Sequence, residues 1–166
     1  MKNITNNLVL DACCGSRMFW FDKHDERAIY VDVRKESHTL TDSSSAGGAR
    51  TSEISPDITA DFRNLPFDDC TFYHVVFDPP HFRRNGKTGW VGLKYGTLPD
   101  DWRDLLRAGF AECFRVLKVG GTLIFKWNST EVPLREILEL TIERPLYGHK
   151  SGKQSRTHWV AFVKSN

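Results

Sequence analysis

The sequence has 166 residues, of which 40% are hydrophobic and 27% are charged, and its formal net charge at pH 7 is +2. Length and composition are those of one globular domain, so we expect a single domain spanning residues 1–166. The balanced charge excludes polyanion binding through overall charge and leaves that role to local clusters. No apolar run approaches the roughly 18 residues that cross a bilayer, and residues 1–7 lack the apolar core of a signal peptide, so we expect a cytoplasmic protein.

The four cysteines do not form a metal-binding pattern. No two are spaced as C-x-x-C, and an adjacent pair chelates a metal poorly. We therefore predict no metal site and expect buried, reduced thiols, with a metal or a disulfide as the less favoured alternative. The cysteines are Cys13, Cys14, Cys70 and Cys113.

The chain opens with an apolar strand and a turn of small residues. Residues 8–12 predict the first strand, which runs into Cys13-Cys14-Gly15-Ser16 and then a helical stretch. Gly15 permits a sharp turn and close approach of the backbone to a ligand. This pattern fits an ordinary strand–helix turn as well as a cofactor loop.

Two further strands are predicted to end in acids. Residues 28–32 form a strand ending in Asp32, at a distance that suits a carboxylate binding the ribose hydroxyls of a nucleoside cofactor, although a solvated acid is the alternative. Residues 41–57 are rich in Ser and Gly and predict a flexible loop, which is either a lid over the site or a connector without a function. Residues 58–61 predict a short third strand ending in Asp61.

Residues 75–81, Val-Val-Phe-Asp-Pro-Pro-His, are the most informative stretch. The apolar run indicates a strand buried on both faces, and the two prolines stop it. Asp78 and His81 are thereby held on a rigid corner at the carboxyl end of a strand, where open α/β sheets bind ligands. An acid ends four predicted strands, a repetition that is hard to attribute to chance; these acids are Asp11, Asp32, Asp61 and Asp78.

Two segments carry candidate substrate-binding residues, because bases can contact phosphates and aromatic rings can stack on nucleobases. Residues 82–98 predict a substrate loop or a plain connector, and residues 148–156 a basic hairpin or a solvated turn. The hairpin would share an edge with Asp78 if the strand before it is parallel to the others. The candidates are Arg83, Arg84, Lys87, Trp90, Lys94, Tyr95, Lys150, Lys153 and Arg156.

The second half of the chain alternates helices and strands. Apolar residues recur at helical period from Trp102 to Leu117, which predicts a core helix capped by an aspartate and ended by Gly120-Gly121. A fifth strand is predicted at 122–127, a short helix at 132–140, and strands near 142–147 and 158–163.

From Leu8 to Val163 the order of elements resembles the class I S-adenosylmethionine-dependent methyltransferases. The resemblance implies an α/β fold with a Rossmann-like seven-stranded sheet, order 3-2-1-4-5-7-6, one antiparallel strand and helices on both faces. It implies S-adenosyl-L-methionine as cofactor. The implied cofactor-binding residues are Asp11, Ala12, Cys13 and Gly15 in the loop, Asp32 and Val33 at the ribose, Asp61 and Phe62 at the adenine, and Asp78.

Asp78-Pro79-Pro80-His81 resembles the [Asp/Asn/Ser]-Pro-Pro-[aromatic] motif of enzymes that methylate planar amino groups in nucleobases or glutamine amides. The resemblance implies that these four residues are catalytic, and Asp at the first position favours a nucleobase. Two positions depart from the family. Arg17 stands where the cofactor loop usually has a second Gly, and His81 replaces Tyr, Phe or Trp.

The sequence therefore predicts methyl transfer to an exocyclic amino group of a nucleobase in DNA or RNA. A protein-amide or small-molecule amine methyltransferase is one alternative. Another is a non-catalytic, nucleic-acid-binding partner subunit, which Arg17 and the absence of a predicted helix before the first strand motivate. No separate target-recognition domain is predicted, so a partner subunit would fit that role. A nicotinamide dehydrogenase is disfavoured because no full Gly-x-Gly-x-x-Gly follows the first strand.

Overall fold

The computed structural model describes residues 8–42, 47–84 and 89–166. The strands are β1 (Val9–Asp11), β2 (Ala28–Asp32), β3 (Glu36–Thr41), β4 (Ala49–Ile54), β5 (Ile58–Thr59), β6 (Phe72–Phe77), β7 (Leu117–Asn128), β8 (Tyr147–Lys150) and β9 (Thr157–Val163). The helices are α1 (Trp90–Tyr95), α2 (Trp102–Val116) and α3 (Leu134–Leu138). Within these ranges no helix is both long enough and apolar enough to cross a bilayer.

Seven strands form one sheet in the order β5-β2-β1-β6-β7-β9-β8. The strands from β5 to β7 pair in parallel, and β9 is antiparallel to both of its neighbours. If the separate β3–β4 hairpin is left out of the numbering, this is the predicted order 3-2-1-4-5-7-6, and the predicted fold class is confirmed. Since β8 runs in the same direction as β7, the β8–β9 hairpin lies at the same edge of the sheet as the end of β6.

One face of the sheet packs against α2, as the apolar stripe predicted. The ring of Phe110 on α2 lies 5.4 Å from Phe77 on β6 and 4.9 Å from Phe125 on β7, measured between centroids. Gly109 brings the helix close, because a Cβ built there would stand 2.7 Å from Phe77 and 2.8 Å from Phe62. The position of Phe62 therefore depends on this contact.

The opposite face is covered by residues 12–27, which form turns rather than the predicted helical stretch. Trp20 packs edge-on against Tyr30 of β2, with the ring centroids 4.9 Å apart. Two local features oppose a helix here. Arg17 has a left-handed φ of 53°, and the side chains of Asp22 and Asp25 accept backbone N–H bonds two residues on.

Two predicted loops contain regular structure. In the first, residues 49–54 pair with β3 in an antiparallel hairpin, and Thr39 and Thr51 are joined across it by a hydroxyl hydrogen bond of 3.0 Å. Such cross-strand threonine pairs stabilise strands in a segment whose composition indicated a loop. In the second, residues 90–95 form α1, which ends at Gly96 with a φ of 75°. Residues 43–46 and 85–88 of these loops lie outside the described residues.

Other predicted boundaries were also wrong. Helix α2 ends at Val116, and Gly120-Gly121 lie inside β7, where Gly120 has a φ of 77° and donates its N–H to Lys164. The core strand β7 follows the helix directly, so no glycine is needed to end it. Asp101 stands at the helix start without a side-chain capping bond.

The strand predicted near 142–147 begins only at Tyr147, and the preceding Ile142 is exposed. Among the cysteines, Cys14 and Cys113 are buried, Cys13 is partly buried, and Cys70 is exposed, contrary to prediction. Cys70 lies beside the end of α2, where its backbone N–H binds the carbonyl of Arg115. This contact between distant parts of the chain cannot be read from the sequence.

We expect Gly109→Ala to destabilise the fold, because the added methyl group would overlap the rings of Phe62 and Phe77. Overpacking of this kind costs about 1–3 kcal/mol, which exceeds the gain in helix propensity. Urea unfolding measures the difference. Gly152→Ala is the matched control, since no atom lies within 4 Å of its Cβ position. Equal stability of the two variants would contradict close packing at Gly109.

Candidate functional site

A cleft of about 650 Å³, including its open mouth, lies at the carboxyl ends of β1, β2 and β6. The sheet order reverses here, because β1 has β2 on one side and β6 on the other, and such switch points are where α/β sheets bind ligands. The structure brings most of the predicted site residues to this cleft. Those lining it are Cys13, Gly15, Asp32, Val33, Phe62, Asp78, Pro79, Pro80, His81, Lys94 and Tyr95.

Several predicted residues do not line the cleft. Asp11 and Ala12 are buried at the end of β1. Asp61 binds Arg63 through both carboxylate oxygens, and this pairing lowers the pKa of Asp61. Trp90 lines an adjoining groove that shares Lys94 with the cleft.

Apart from Lys94, the predicted basic residues within the described ranges do not line the cleft and are turned to other partners or to solvent. Arg83 donates its backbone N–H to Glu131 at 2.7 Å, and its guanidinium lies 3.9 Å from Asp100. The other predicted bases that the structure describes are exposed. Arg84 follows the proline corner, and the β8–β9 hairpin at this edge carries Lys150, Lys153 and Arg156. Lys87 lies outside the described residues.

Asp32, at the end of β2, holds the loop around Gly15 that was predicted to bind the cofactor. Its Oδ2 accepts the N–H of Gly15 at 2.9 Å, and its Oδ1 accepts the backbone N–H of Arg34 at 2.9 Å. The Arg34 side chain also binds Oδ1 and reaches Leu93 of α1. Sequence reasoning missed Arg34, although its place two residues after the acid allows this local turn.

Arg17 replaces a glycine without blocking the cleft. Its φ of 53° is the left-handed conformation that glycine adopts readily. The side chain turns away, stacks 3.8 Å from the ring centre of Tyr30, and donates to the carbonyls of Lys23 at 2.5 Å and Ser55 at 2.7 Å. Arg17 therefore fastens the loop to the sheet from the face opposite α2.

Asp78 stands on the corner after β6 with its two oxygens in different surroundings. Oδ2 accepts a bond of 2.5 Å from Lys126 Nζ, whereas Oδ1 is buried and has no hydrogen-bond partner among the described residues. Lys126 was missed by sequence reasoning. Its contact with Asp78 follows from the strand register that places Phe125 opposite Phe77, which the linear sequence does not show.

His81 lies beneath the corner. It is only 7% exposed, and its Nδ1 is 3.3 Å from the Pro79 carbonyl and 4.0 Å from Asp78 Oδ1. Burial lowers the pKa of His81, against the opposing charge of Asp78. Its ring contacts Phe82, Tyr95 and Trp127, so the imidazole forms part of the apolar cleft wall.

Asp11 lies below the cleft as a fully buried carboxyl group. Its Oδ2 accepts the indole N–H of Trp20 at 2.7 Å, and its Oδ1 has no partner in the described part of the chain. Burial raises the pKa of Asp11 to about 7; the Trp20 bond opposes this shift, while the charges of Asp78 and Asp32 add to it. Three carboxyl groups thus meet at this edge, and no group of metal-ligating side chains occurs among the described residues.

The sheet order and the cleft at its switch point define a Rossmann-like α/β fold. No protein-family model matches the chain, and no curated protein matches it.

Solved structures with a similar fold include the PH0226 protein from Pyrococcus horikoshii OT3, at 17% identity and a TM-score of 0.60, over 95% of this chain and 81% of that one. A chain from the complex of the Haloferax volcanii Trm112 methyltransferase activator with a putative methyltransferase is 17% identical, with a TM-score of 0.55 over 97% and 83%. An rRNA methylase from Streptococcus thermophilus is 13% identical, with a TM-score of 0.53 over 98% and 89%. At these identities the similarity concerns the fold alone.

We expect Arg17→Met to lower the free energy of unfolding by roughly 2–3 kcal/mol, because two carbonyls and the Tyr30 ring lose a charged partner. Chemical denaturation measures the loss. Arg27→Met is the control, since the Arg27 side chain is 75% exposed and little change is expected there. If both variants were equally stable, Arg17 would not be the fastener of this loop.

Asp11→Asn should change how stability depends on pH. Because burial raises the pKa of Asp11 from 3.8 to about 7, the folded protein binds a proton between these values that the unfolded chain does not. This contribution to stability falls by about 1.4 kcal/mol per pH unit as pH rises towards 7, and is gone above it. The stability of Asp11→Asn relative to wild type should therefore increase from pH 5 to 7. Urea unfolding tests this, and a constant difference between pH 5 and 8 would contradict it.

Proposed function

We propose that the chain is an S-adenosylmethionine-dependent methyltransferase that acts on the exocyclic amino group of a nucleobase in RNA or DNA. The observation that carries this proposal is the Asp78 carboxylate, which lines the cleft after the strand and is held by Lys126 through Oδ2. A carboxylate has acceptor capacity beyond one such bond, so it would accept an N–H group of a bound amine.

The cleft residues fit the cofactor. Gly15 has a φ of 50° and no atom within 4 Å of its Cβ position, so its backbone leaves space for a ligand. The oxygens of Asp32 each accept from the protein, and a carboxylate oxygen retains further acceptor capacity for ribose hydroxyls. Val33 and Phe62 give apolar surface for an adenine ring. When bound, S-adenosylmethionine supplies an electrophilic methyl group on a sulfonium centre.

The residues of the chain would mainly position the amine. A nucleobase amine is a weak nucleophile because its lone pair is delocalised into the ring. If the Asp78 carboxylate and the Pro79 carbonyl accept its two N–H bonds, the nitrogen becomes more tetrahedral and its lone pair is directed out of the ring plane. Asp78 also stabilises the positive charge that develops on nitrogen, and the surplus proton can leave to water after transfer.

The cleft wall suits a planar substrate. His81 and Tyr95 line it together, with ring centroids 6.0 Å apart. We assign stacking on an unpaired or flipped base to Tyr95, with the buried His81 ring packed behind it and the prolines fixing the corner that faces the amino group of the base. The His81 ring is largely buried, so it contributes from beneath while Tyr95 borders the opening.

The substrate class is supported by charge placed at the same edge of the sheet. Lys94 lines the cleft, and the exposed bases of the β8–β9 hairpin lie beyond β7 on that edge. Phosphate contacts of this kind position a nucleic acid without reading its sequence. A partner subunit that supplies target recognition is part of the proposal, because a structure of similar fold comes from a complex with the Trm112 activator.

The test is to incubate labelled S-adenosylmethionine and the purified chain with RNA, with DNA and with protein extract, and to identify methylated nucleosides by mass spectrometry. We expect label in nucleic acid. Label in protein alone would end the nucleobase proposal in favour of an amide substrate. Nucleic-acid binding without cofactor binding by calorimetry would instead indicate a non-catalytic subunit.

Asp78→Ala should lower kcat/KM for the methylated nucleic acid by about 10²–10³-fold, because the developing charge loses its carboxylate. Cofactor affinity by calorimetry should change less than catalysis. Asp68→Ala, at an exposed position away from the cleft, is the matched control and should keep wild-type kinetics. Undiminished activity of Asp78→Ala would remove Asp78 from the mechanism.

A further inference from the structure

Lys126 is the cleft residue whose role the sequence did not indicate. Strands β6 and β7 pair in parallel with Phe77 opposite Phe125, so the next residues, Asp78 and Lys126, lie level on the same face of the sheet. Lys126 Nζ donates to Asp78 Oδ2 at 2.5 Å, and both side chains line the cleft. The contact is therefore set by the register of two core strands rather than by a flexible loop.

The ammonium group is also enclosed by aromatic rings. Nζ lies 5.4 Å from the ring centre of Phe19 and 5.6 Å from that of Trp159, and these two rings meet edge to face at 5.4 Å. The Lys126 side chain is only 18% exposed. A lysine held between two rings and a carboxylate keeps one arrangement, unlike an exposed lysine on a flexible stem.

Fixing Lys126 has a direct consequence for Asp78. The ammonium group takes Oδ2 and leaves Oδ1, which is 4.0 Å from His81 Nδ1 and has no hydrogen-bond partner in the part of the chain that the structure describes. The charges of Asp78 and Asp11 act on each other, and Arg34, Lys94 and Asp32 line the same cleft.

We propose that Lys126 is a positioning residue, which anchors Asp78 by Oδ2 and so fixes the orientation of the carboxylate towards the amino group of the substrate. The inference rests on the proposed function and names the residue that orients its catalytic carboxylate. Without this anchor, the Asp78 side chain can rotate, and the amine loses its fixed acceptor. A methyl acceptor misplaced by about 1 Å can cost roughly 10²-fold in rate.

The first experiment compares Lys126→Met, which keeps the length of the side chain without its charge, with Lys126→Arg, which keeps a donor. We expect Lys126→Met to lower kcat about 10- to 100-fold with little change in the KM for S-adenosylmethionine, and Lys126→Arg to recover part of the loss. Lys118→Met is the matched control, because Lys118 lies at the other end of β7 over the ring of Tyr73. Wild-type or higher kcat in Lys126→Met would overturn the inference.

The second experiment does not depend on methyl transfer. Crystal structures of the wild type, Lys126→Met and Lys126→Arg should show one Asp78 side-chain conformation where a cation is retained and a rotated or mixed conformation in Lys126→Met. An unchanged Asp78 in Lys126→Met would refute the positioning role, whatever the activity. A rotated Asp78 in a chain that methylates no nucleic acid would support the positioning role and refute the proposed function instead.

Discussion

The structure depends on one constraint, which is that parallel strands bring their carboxyl ends to the same edge of the sheet. The carboxyl ends of β1, β2 and β6 each carry an aspartate, so three carboxyl groups lie close together at one edge of the sheet. Each is held by a different partner: Asp11 by the Trp20 indole, Asp32 by the Gly15 amide and Arg34, and Asp78 by Lys126. The loop over residues 12–27, helix α1 and strand β7 each contribute to this compensation, so the covering elements and the acids stabilise one another.

The elements that the sequence predicted well are those whose identity is set by burial. Strands β2 and β6 and helix α2 carry apolar runs or stripes that indicate burial directly, whereas the sheet order was implied by the resemblance to the class I methyltransferases. The β3–β4 hairpin and α1 were missed because their stability comes from cross-strand hydroxyls and from contacts such as Arg34 with Leu93, which composition does not encode. The same holds for the helix wrongly expected after Gly15, where Arg17 adopts a glycine-like φ and binds distant carbonyls.

At the site, the sequence predicted the acids and the proline corner but not their partners. An acid at a strand end is visible in a linear pattern, whereas Lys126 reaches Asp78 only through the register between two strands 48 residues apart. Asp61 and Phe62, which the resemblance assigned together to the adenine, have different surroundings. Asp61 is engaged by Arg63 away from the cleft, while its neighbour Phe62 lines the cleft because Gly109 lets α2 press against its ring. Adjacent residues in the sequence therefore support quite different functional arguments.

The buried Oδ1 atoms of Asp11 and Asp78 lack hydrogen-bond partners among the described residues, and they do not carry the same weight. For Asp11 the pKa of about 7 offers an internal solution, since a proton can neutralise a carboxyl group that lies below the cleft. Asp78 is different, because it is ion-paired through its other oxygen and lines a cleft that a ligand can enter. A proton explains the first oxygen without any substrate, whereas the second belongs to an ion-paired side chain that lines the cleft. The functional proposal thus follows from Asp78 and its anchor rather than from the gathering of acids as such.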